Sequence, residues 1–149
     1  MAADETICSA EKISRGKFWR TTLFTLKYPM KKKVLLAFSG GLDTSYCAIY
    51  LAKEKNLEVH SAIVNTGGFS TEELKKIEKH AYSLGVKKHY TLDEMDSYYK
   101  QCIRFLIYGN VLRGGIYPLS VSAERVFQSK AIAHQAKKIK ADFIAHGCT

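Results

Sequence analysis

A short apolar run that ends in a glycine turn is the feature that most restricts how this chain can fold. Residues 34–38 are uninterruptedly apolar, and Ser39-Gly40-Gly41 follows at once. Because a strand that is apolar at every position has both faces buried, the run predicts an inner strand of a parallel sheet. Residues 44–55 then read as a helix, so the turn connects a strand directly to a helix.

The rest of the chain alternates between the same two kinds of segment. Further strands are predicted at 57–65, 87–92 and 141–145, and further helices at 71–84, 93–107 and 121–140. Ser70 and Glu73 form a capping box before the second helix, and Gly85 closes it. This alternation predicts the α/β class, a Rossmann-like parallel sheet with helices on both faces.

Apolar positions indicate which side of each helix meets the sheet, and composition marks one irregular stretch. The predicted inner or apolar helix residues are Tyr46, Ile49, Tyr50 and Leu51, then Met95, Tyr98, Tyr99, Cys102, Phe105 and Leu106, then Val126, Phe127, Ala131 and Ala133. Residues 108–120 contain three glycines and one proline, so we expect no regular structure there.

Residues 1–29 differ from the rest because they show no sustained period. We expect a domain at 30–149 that starts at Met30, with 1–29 as a non-native extension. The apolar stretch at 21–26 is too short for a secretory signal, and Asp4, Glu5 and Glu11 argue against a mitochondrial presequence.

The net charge and the spacing of the cysteines limit which ligands and which kinds of site are expected. The net charge is +9, which favours polyanionic ligands, although a solvated basic surface is the simpler interpretation. No apolar run approaches the ~20 residues that cross a bilayer, so no membrane partner is expected. Cys8, Cys47, Cys102 and Cys148 are far apart, which favours free thiols in a cytoplasmic protein over a metal site or disulfides.

The glycine turn has the composition of a phosphate-binding loop. A helix N-terminus after a parallel strand offers free N–H groups and a partial positive charge to an anion. Gly40 and Gly41 allow close approach, and Ser39, Thr44 and Ser45 add hydroxyl groups. Neither the Walker A pattern nor the dinucleotide G-x-G-x-x-G pattern is present.

The string Ser39-Gly40-Gly41-Leu42-Asp43-Thr44-Ser45 resembles the pyrophosphate loop of the ATP pyrophosphatases, the PP-loop enzymes that cleave ATP between its α and β phosphates. Its Leu-Asp-Thr-Ser resembles argininosuccinate synthase more than other members. Tyr117-Pro118-Leu119 with Ser122 and Arg125, and Ala145-His146-Gly147-Cys148-Thr149, resemble two later stretches of the synthase in the same order. The resemblance covers residues 30–149.

The resemblance implies a role for each matching residue. ATP is expected at Ala37, Phe38, Ser39, Gly40, Gly41, Leu42, Asp43, Thr44, Ser45, Val64 and Gly147. Citrulline is expected at Tyr117 and Ser122, and aspartate at Thr149. The implied reaction joins citrulline and aspartate through a citrullyl-adenylate and releases AMP and pyrophosphate. The resemblance further implies Mg²⁺ bridging the phosphates and a cytoplasmic homotetramer for the full-length enzyme, and nucleic acid is not an expected partner.

Simpler structural roles remain open for several of these residues. Tyr117 fits a core aromatic, Ser122 fits the N-cap of helix 121–140, Arg125 fits that helix's surface, and His146 fits a structural role better than a catalytic one.

The sequence also departs from the family. Ser120-Val121 replaces the usual Gly-Thr, which leaves a different carboxamide or ureido substrate open. The given sequence ends where the family continues into residues that bind aspartate and citrulline, so we expect a chain cut after the fourth strand, with no synthase activity of its own. Another adenylating enzyme of the group, for example one acting on tRNA, and a non-catalytic nucleotide-binding remnant are the alternatives.

Overall fold

The computed structural model describes residues 31–147. The predictions for the extension at 1–29 and for Cys8, Cys148 and Thr149 therefore lie outside the described residues.

The described chain alternates strands and helices as predicted. The elements are β1 (Lys33–Ala37), α1 (Leu42–Lys53), β2 (Glu58–Asn65), α2 (Thr71–Ser83), β3 (Lys88–Asp93), α3 (Met95–Tyr98), a π-helical turn (Tyr99–Ile103), α4 (Arg104–Tyr108), β4 (Leu112–Arg113), β5 (Tyr117–Pro118), α5 (Ser120–Lys138) and β6 (Phe143–His146).

Four of the strands form one parallel sheet in the order β3-β2-β1-β6. Val34 of β1 is in register with Val59 on one side and with Phe143 on the other. Because β1 is central and its neighbours run parallel to it, its carboxyl end and the glycine turn lie at the same edge of the sheet as the end of β6. The predicted fold class is confirmed.

Helices cover both faces of the sheet, as expected. On one face, α1 and α2 enclose a core that includes Val34, Leu36 and Phe38. On the other face, α5 packs Ile132 and other residues against Leu35. Alternate residues of this run thus belong to two separate apolar cores, one on each face of the sheet. This explains why the run at 34–38 has no polar position.

Local signals at the ends of α2 are also confirmed. The Ser70 side chain accepts from the Glu73 N–H, and the Glu73 carboxylate accepts from the Ser70 N–H, which completes the capping box. Gly85 follows the helix with a φ of +90°, a conformation in which a Cβ is unfavourable.

The predicted inner side of the first helix was largely wrong. Thr44 and Ala48 are the buried residues of α1, whereas Tyr46, Ile49 and Tyr50 are exposed. Leu51, the fourth residue of the predicted set, is partly buried against the core. The rings of Tyr46 and Tyr50 stack on each other at a centroid distance of 6.0 Å instead of entering the core.

The single helix predicted at 93–107 is divided. β3 extends to Asp93, the helix begins at Met95, and a π-helical turn separates α3 from α4. Of the apolar residues predicted there, Tyr98 is buried, while Met95, Tyr99 and Phe105 are exposed. A π turn adds a residue to one helical turn, which shifts the residues after it onto other faces.

The prediction of irregular structure at 108–120 was also wrong in part. β4 and β5 form a short antiparallel hairpin there, with Arg113 opposite Tyr117 and two positive-φ glycines between them. The last helix starts at Ser120 and ends at Lys138, and its Val126 and Ala133 are exposed.

The last predicted strand is shifted to Phe143–His146 and is only partly buried. It lies at the edge of the described sheet, where Phe143 and Ile144 are about half exposed. Among residues 31–147, no helix combines the length and apolar character needed to span a bilayer.

Candidate functional site

The glycine turn between β1 and α1 is tightly shaped. Gly40 has a φ of +80°, and a Cβ placed on it would lie 3.2 Å from Cγ1 of Ile77 in α2. Gly41 is the N-cap of α1 with φ −75° and ψ 171°, an extended conformation open to any residue. Gly40 is therefore required by backbone conformation and packing, whereas Gly41 is not.

Three hydroxyl groups surround this turn. The Thr44 and Ser45 hydroxyls both donate to the Gly41 carbonyl oxygen, at 3.1 and 2.8 Å. The Ser39 oxygen lies 3.4 Å from the Thr44 oxygen and accepts from the Gly41 N–H. The hydroxyls predicted from sequence to cluster at this turn do so.

The first turn of α1 retains donors for a ligand. The N–H groups of a first helical turn have no intrahelical acceptor, and here the N-cap residue, Gly41, provides no side-chain cap for them. With the helix dipole they make this a region of positive potential. Asp43 is the acidic residue of that turn.

Gly147, the residue that follows β6, packs closely against the start of α1. A Cβ on Gly147 would lie 3.1 Å from the Thr44 Cγ2 atom and 3.3 Å from the Thr44 nitrogen. A larger residue at 147 would displace either the end of β6 or the start of α1. The absence of a side chain at 147 thus allows the two segments to meet.

A cleft of about 240 Å³ opens beside the turn. It is lined by Ala37, Phe38, Ser39, Thr44, Ala62, Ile63, Val64, Phe69, Gln128, Ile132, His146 and Gly147. A wider groove of about 730 Å³ shares five of these residues and extends to Arg125 and Ser129 on α5. One wall is therefore the sheet edge with the glycine turn, and the other is α5.

The residues predicted for ATP fall into two groups. Those that line the cleft are Ala37, Phe38, Ser39, Thr44, Val64 and Gly147. Those that form the turn without lining the cleft are Gly40, Gly41, Leu42, Asp43 and Ser45. Leu42 is 87% exposed, so its side chain is directed to solvent. Arg125, which sequence alone left as a possible surface residue, lines the wider groove.

The residues predicted for citrulline are outside the cleft and the wider groove. Tyr117 is in β5 and is 52% exposed, so the interpretation of it as a core aromatic was wrong. Ser122 is also exposed. It lies in the first turn of α5, two residues after the helix begins, so the alternative N-cap role was wrong.

Sequence reasoning missed the residues that α5 and the loop after β2 add to the cleft. Gln128 lines it, and its amide donates to the Glu124 carboxylate at 3.0 Å. The same carboxylate accepts from the Thr66 hydroxyl. Phe69 comes from the same loop as Thr66. No local motif marks these positions, because each depends on how α5 and the loop after β2 meet at the cleft.

The hairpin is anchored to the body of the domain at its end. The Tyr98 hydroxyl donates to the Ser120 carbonyl oxygen at 2.6 Å, and its ring meets the Phe127 ring edge-on. Burial raises the pKa of Tyr98, so the hydroxyl keeps its proton and remains a donor. The start of α5 is thus fixed, while β4 and β5 remain exposed.

A buried imidazole lies behind the turn. His89 on β3 meets the Phe38 ring edge-on, and its Nδ1 atom is 2.7 Å from the Ser61 hydroxyl. Burial lowers the pKa of His89, although the charge of Glu78 acts in the opposite direction. The buried His89 ring is therefore neutral where it packs against Phe38.

The described residues contain no obvious metal centre. In the segment 31–147, no three His, Cys, Asp or Glu side chains are grouped so as to hold a metal ion. Cys47 and Cys102, the cysteines within that segment, are free and half-buried.

The fold and this edge of the sheet define a class of α/β domain, in which a glycine turn links the first parallel strand to a helix N-terminus. A family model described as the arginosuccinate synthase N-terminal HUP domain matches residues 33–149. The chain belongs to the argininosuccinate synthase family.

Comparison with individual proteins gives the same family. The chain is 39% identical over 117 residues to argininosuccinate synthase of Hyperthermus butylicus, and 40% identical over 118 residues to that of Xylella fastidiosa. It is 38% identical over 120 residues to that of Methanocaldococcus jannaschii. These alignments cover 78–80% of this chain but only 29–30% of each relative.

Proposed function

We propose that residues 30–149 form the ATP-binding part of an argininosuccinate synthase. The phosphates lie at the glycine turn, against the N–H groups of the first turn of α1. The adenosine enters the neighbouring cleft beside Val64 and Gly147. The observation that carries this proposal is the cleft itself, because its wall joins the N-terminal turn of α1 to apolar side chains of β1 and β2.

The turn's geometry supports the same assignment. Gly40 has a backbone conformation that a side chain would strain, and Gly41 leaves the helix N-terminus without a side-chain cap. A phosphate can therefore take the place that a capping carboxylate or hydroxyl has in other helices. Mg²⁺ would be held mainly by phosphate oxygens, as is usual for this ion in nucleotide sites.

The whole protein would use this site for a ligase reaction. ATP would activate the ureido oxygen of citrulline as an adenylate with release of pyrophosphate, and the aspartate amine would then displace AMP. The domain's contribution is to orient ATP and to stabilise charge on the leaving pyrophosphate. A cytoplasmic homotetramer in arginine biosynthesis is the proposed context.

Roles for the other two substrates are proposed as well. Tyr117 and Ser122 are proposed for citrulline and Thr149 for aspartate. Ser120-Val121 precedes Ser122 here, so citrulline must be tested against other ureido and carboxamide compounds. The chain spans under a third of the relatives it matches, and these substrate contacts are proposed for the whole protein.

A charge introduced at the turn tests the ATP proposal. In Gly41→Asp the backbone is already extended and nothing but the Ser39 oxygen lies near the new Cβ, at 3.5 Å. Aspartate is also a favourable N-cap, so the fold should be retained or stabilised. We expect the affinity for MgATP, measured by calorimetry, to fall at least about tenfold from charge repulsion.

Gly68→Asp is the matched control, because a Cβ at Gly68 has no neighbour within 4 Å and the residue is outside the glycine turn. It adds the same charge and should leave the affinity within about twofold. Equal losses in both variants would indicate a general charge effect and would contradict binding at the turn. Absence of ATP binding to the unaltered chain would reject the proposal directly.

A second experiment tests the reaction. The 149-residue chain with ATP, citrulline and aspartate is expected to form no argininosuccinate above background, because the match is confined to the N-terminal domain of the family. Product formation by the purified chain would show that residues 1–149 suffice for catalysis.

A further inference from the structure

The helix α2 reaches the glycine turn at two positions. Ile77 limits the space above Gly40 to 3.2 Å. One turn further along, the His80 Nε2 atom is 3.0 Å from the Ser45 hydroxyl oxygen. The two residues of this second pair are 35 positions apart in the sequence. Neither the turn's motif nor the resemblance assigns a role to His80.

The proton positions in this contact follow from the neighbouring hydrogen bond. The Ser45 hydroxyl donates its only proton to the Gly41 carbonyl oxygen, at 2.8 Å. Ser45 must therefore accept from His80, and the Nε2 atom must carry the hydrogen. The Phe38 ring, tilted at 33° with its centroid 6.1 Å from that of His80, packs beside the imidazole.

We propose that His80 is a positioning residue of the phosphate cradle, which holds the Ser45 oxygen in place for a nucleoside triphosphate or pyrophosphate. This inference rests on the proposed ATP site. With the imidazole N–H bound to one lone pair, the Ser45 oxygen stays fixed while its proton turns from the Gly41 carbonyl toward a phosphoryl oxygen. The ligand then gains a donor whose oxygen was already in position before binding.

The contact has a geometry that suits this role better than a purely structural one. His80 is exposed, so the hydrogen bond to Ser45 contributes little to the stability of the fold. It lies at the surface beside the helix N-terminus, where an anion would approach α1. The hydrogen bond that His80 donates therefore matters mainly when the hydroxyl has a second acceptor available.

A double-mutant cycle on the 149-residue chain tests the proposal. The affinities for MgATP and for inorganic pyrophosphate are measured by calorimetry for the unaltered chain, His80→Leu, Ser45→Ala and the double variant. We expect His80→Leu to weaken both affinities about tenfold. In the Ser45→Ala background the same change should have an effect of less than about twofold, because its hydrogen-bond partner is absent.

Conservative variants distinguish hydrogen bonding from shape. His80→Gln keeps an amide donor at similar reach and should restore affinity to within about threefold of the unaltered chain. His80→Asn is too short to reach Ser45 and should resemble His80→Leu. His134→Leu, a matched change at an exposed histidine on α5, should have no effect on binding. Thermal unfolding of each variant checks that the fold is retained.

The outcomes separate this inference from the proposed function. If the unaltered chain binds neither MgATP nor pyrophosphate, the ATP site is rejected. If it binds them and His80→Leu stays within about twofold, the positioning role alone is overturned. The same conclusion follows if the His80 and Ser45 effects add fully, or if His80→Gln is as weak as His80→Leu.

Discussion

Two regions that the sequence connects to substrates differ sharply in how the fold supports them. The turn region, residues 33–53, comprises the central strand, the glycine turn and α1, and its strand is covered on both faces. The hairpin segment, residues 109–119, has two short strands whose residues are all exposed. The first carries most of the residues proposed for ATP, Ala37 to Ser45, and the second carries Tyr117, proposed for citrulline.

The difference indicates that one site can form without the other. The turn region is shaped by its own packing, by Ile77 of α2 and by the close approach of Gly147 to Thr44. The hairpin leads directly into α5, whose first residue, Ser120, accepts the hydrogen bond from Tyr98 of α3. A domain with this arrangement should bind ATP with little rearrangement, whereas a ligand at the hairpin would have to order or cover an exposed segment.

The largest expected effect is on the free energy of unfolding, and it is tested by replacing one leucine in each region. Leu35 of β1 is 0% exposed beneath α5, whereas Leu112 of β4 is 38% exposed. We expect Leu35→Ala to lower the free energy of unfolding by about 2–5 kcal/mol, because it leaves a cavity between the sheet and α5. Leu112→Ala should cost about 1 kcal/mol or less, since the site is already partly solvated.

Urea unfolding followed by circular dichroism measures both changes. The Leu112→Ala variant is the matched control, because the same atoms are removed from a strand in each case. A loss at Leu112 as large as that at Leu35 would mean that the hairpin is part of the cooperative core, and the contrast between the two regions would fail.

A smaller effect is expected at Gly40. Gly40→Ala places a Cβ at a φ of +80° and within 3.2 Å of Ile77, so it should destabilise the chain by about 1–2 kcal/mol. Gly68→Ala is the control, because a Cβ there has no neighbour within 4 Å. Thermal or urea unfolding distinguishes them. If both glycines tolerate alanine equally, the turn is not constrained as described.

The turn region was also the better predicted of the two. The apolar run at 34–38 and the two glycines are local signals, and the strand and the turn before α1 appear where they were predicted. The inward face of α1 was mispredicted because its large apolar side chains are exposed. Small residues, Thr44 and Ala48, meet the sheet instead. Apolarity alone does not distinguish those two cases.

The rest of the candidate site depends on tertiary packing. Gln128 and Phe69 reach the cleft because α5 and the loop after β2 converge there, and the contact between His80 and Ser45 joins two helices. Neither hydrophobic periodicity nor a local motif predicts contacts between residues so far apart in the sequence. The hairpin was missed for a related reason, since glycine and proline indicate turns without specifying short strands between them. The π-helical turn contains neither residue, and nothing local distinguishes it from the helix on either side.

The smallest expected effect is a pH dependence that arises at His89 of β3, whose ring packs against Phe38 of the turn region, and it has no counterpart in the hairpin. Burial lowers the pKa of His89 below its ordinary value of 6.5. The unfolded chain therefore takes up the proton first as the pH falls. Stability associated with the neutral ring is complete above about pH 6.5 and is lost as the pH falls from there toward the folded pKa, because more protons are bound when unfolded.

Urea unfolding between about pH 7.5 and about pH 6 should show this as a loss of less than about 1 kcal/mol. The lowered pKa values of Glu58 and Glu73 do not contribute in this range, because their contributions are lost only as the pH falls through and below 4.5. His89→Asn should reduce the slope of stability against pH, whereas His134→Asn, at an exposed position, should not.

Because His89 contacts Phe38, amide exchange should increase first around β1 and α1 on acidification. An unchanged slope in His89→Asn, or exchange that increases first in the hairpin, would contradict a buried neutral imidazole as the pH-sensitive support of the turn.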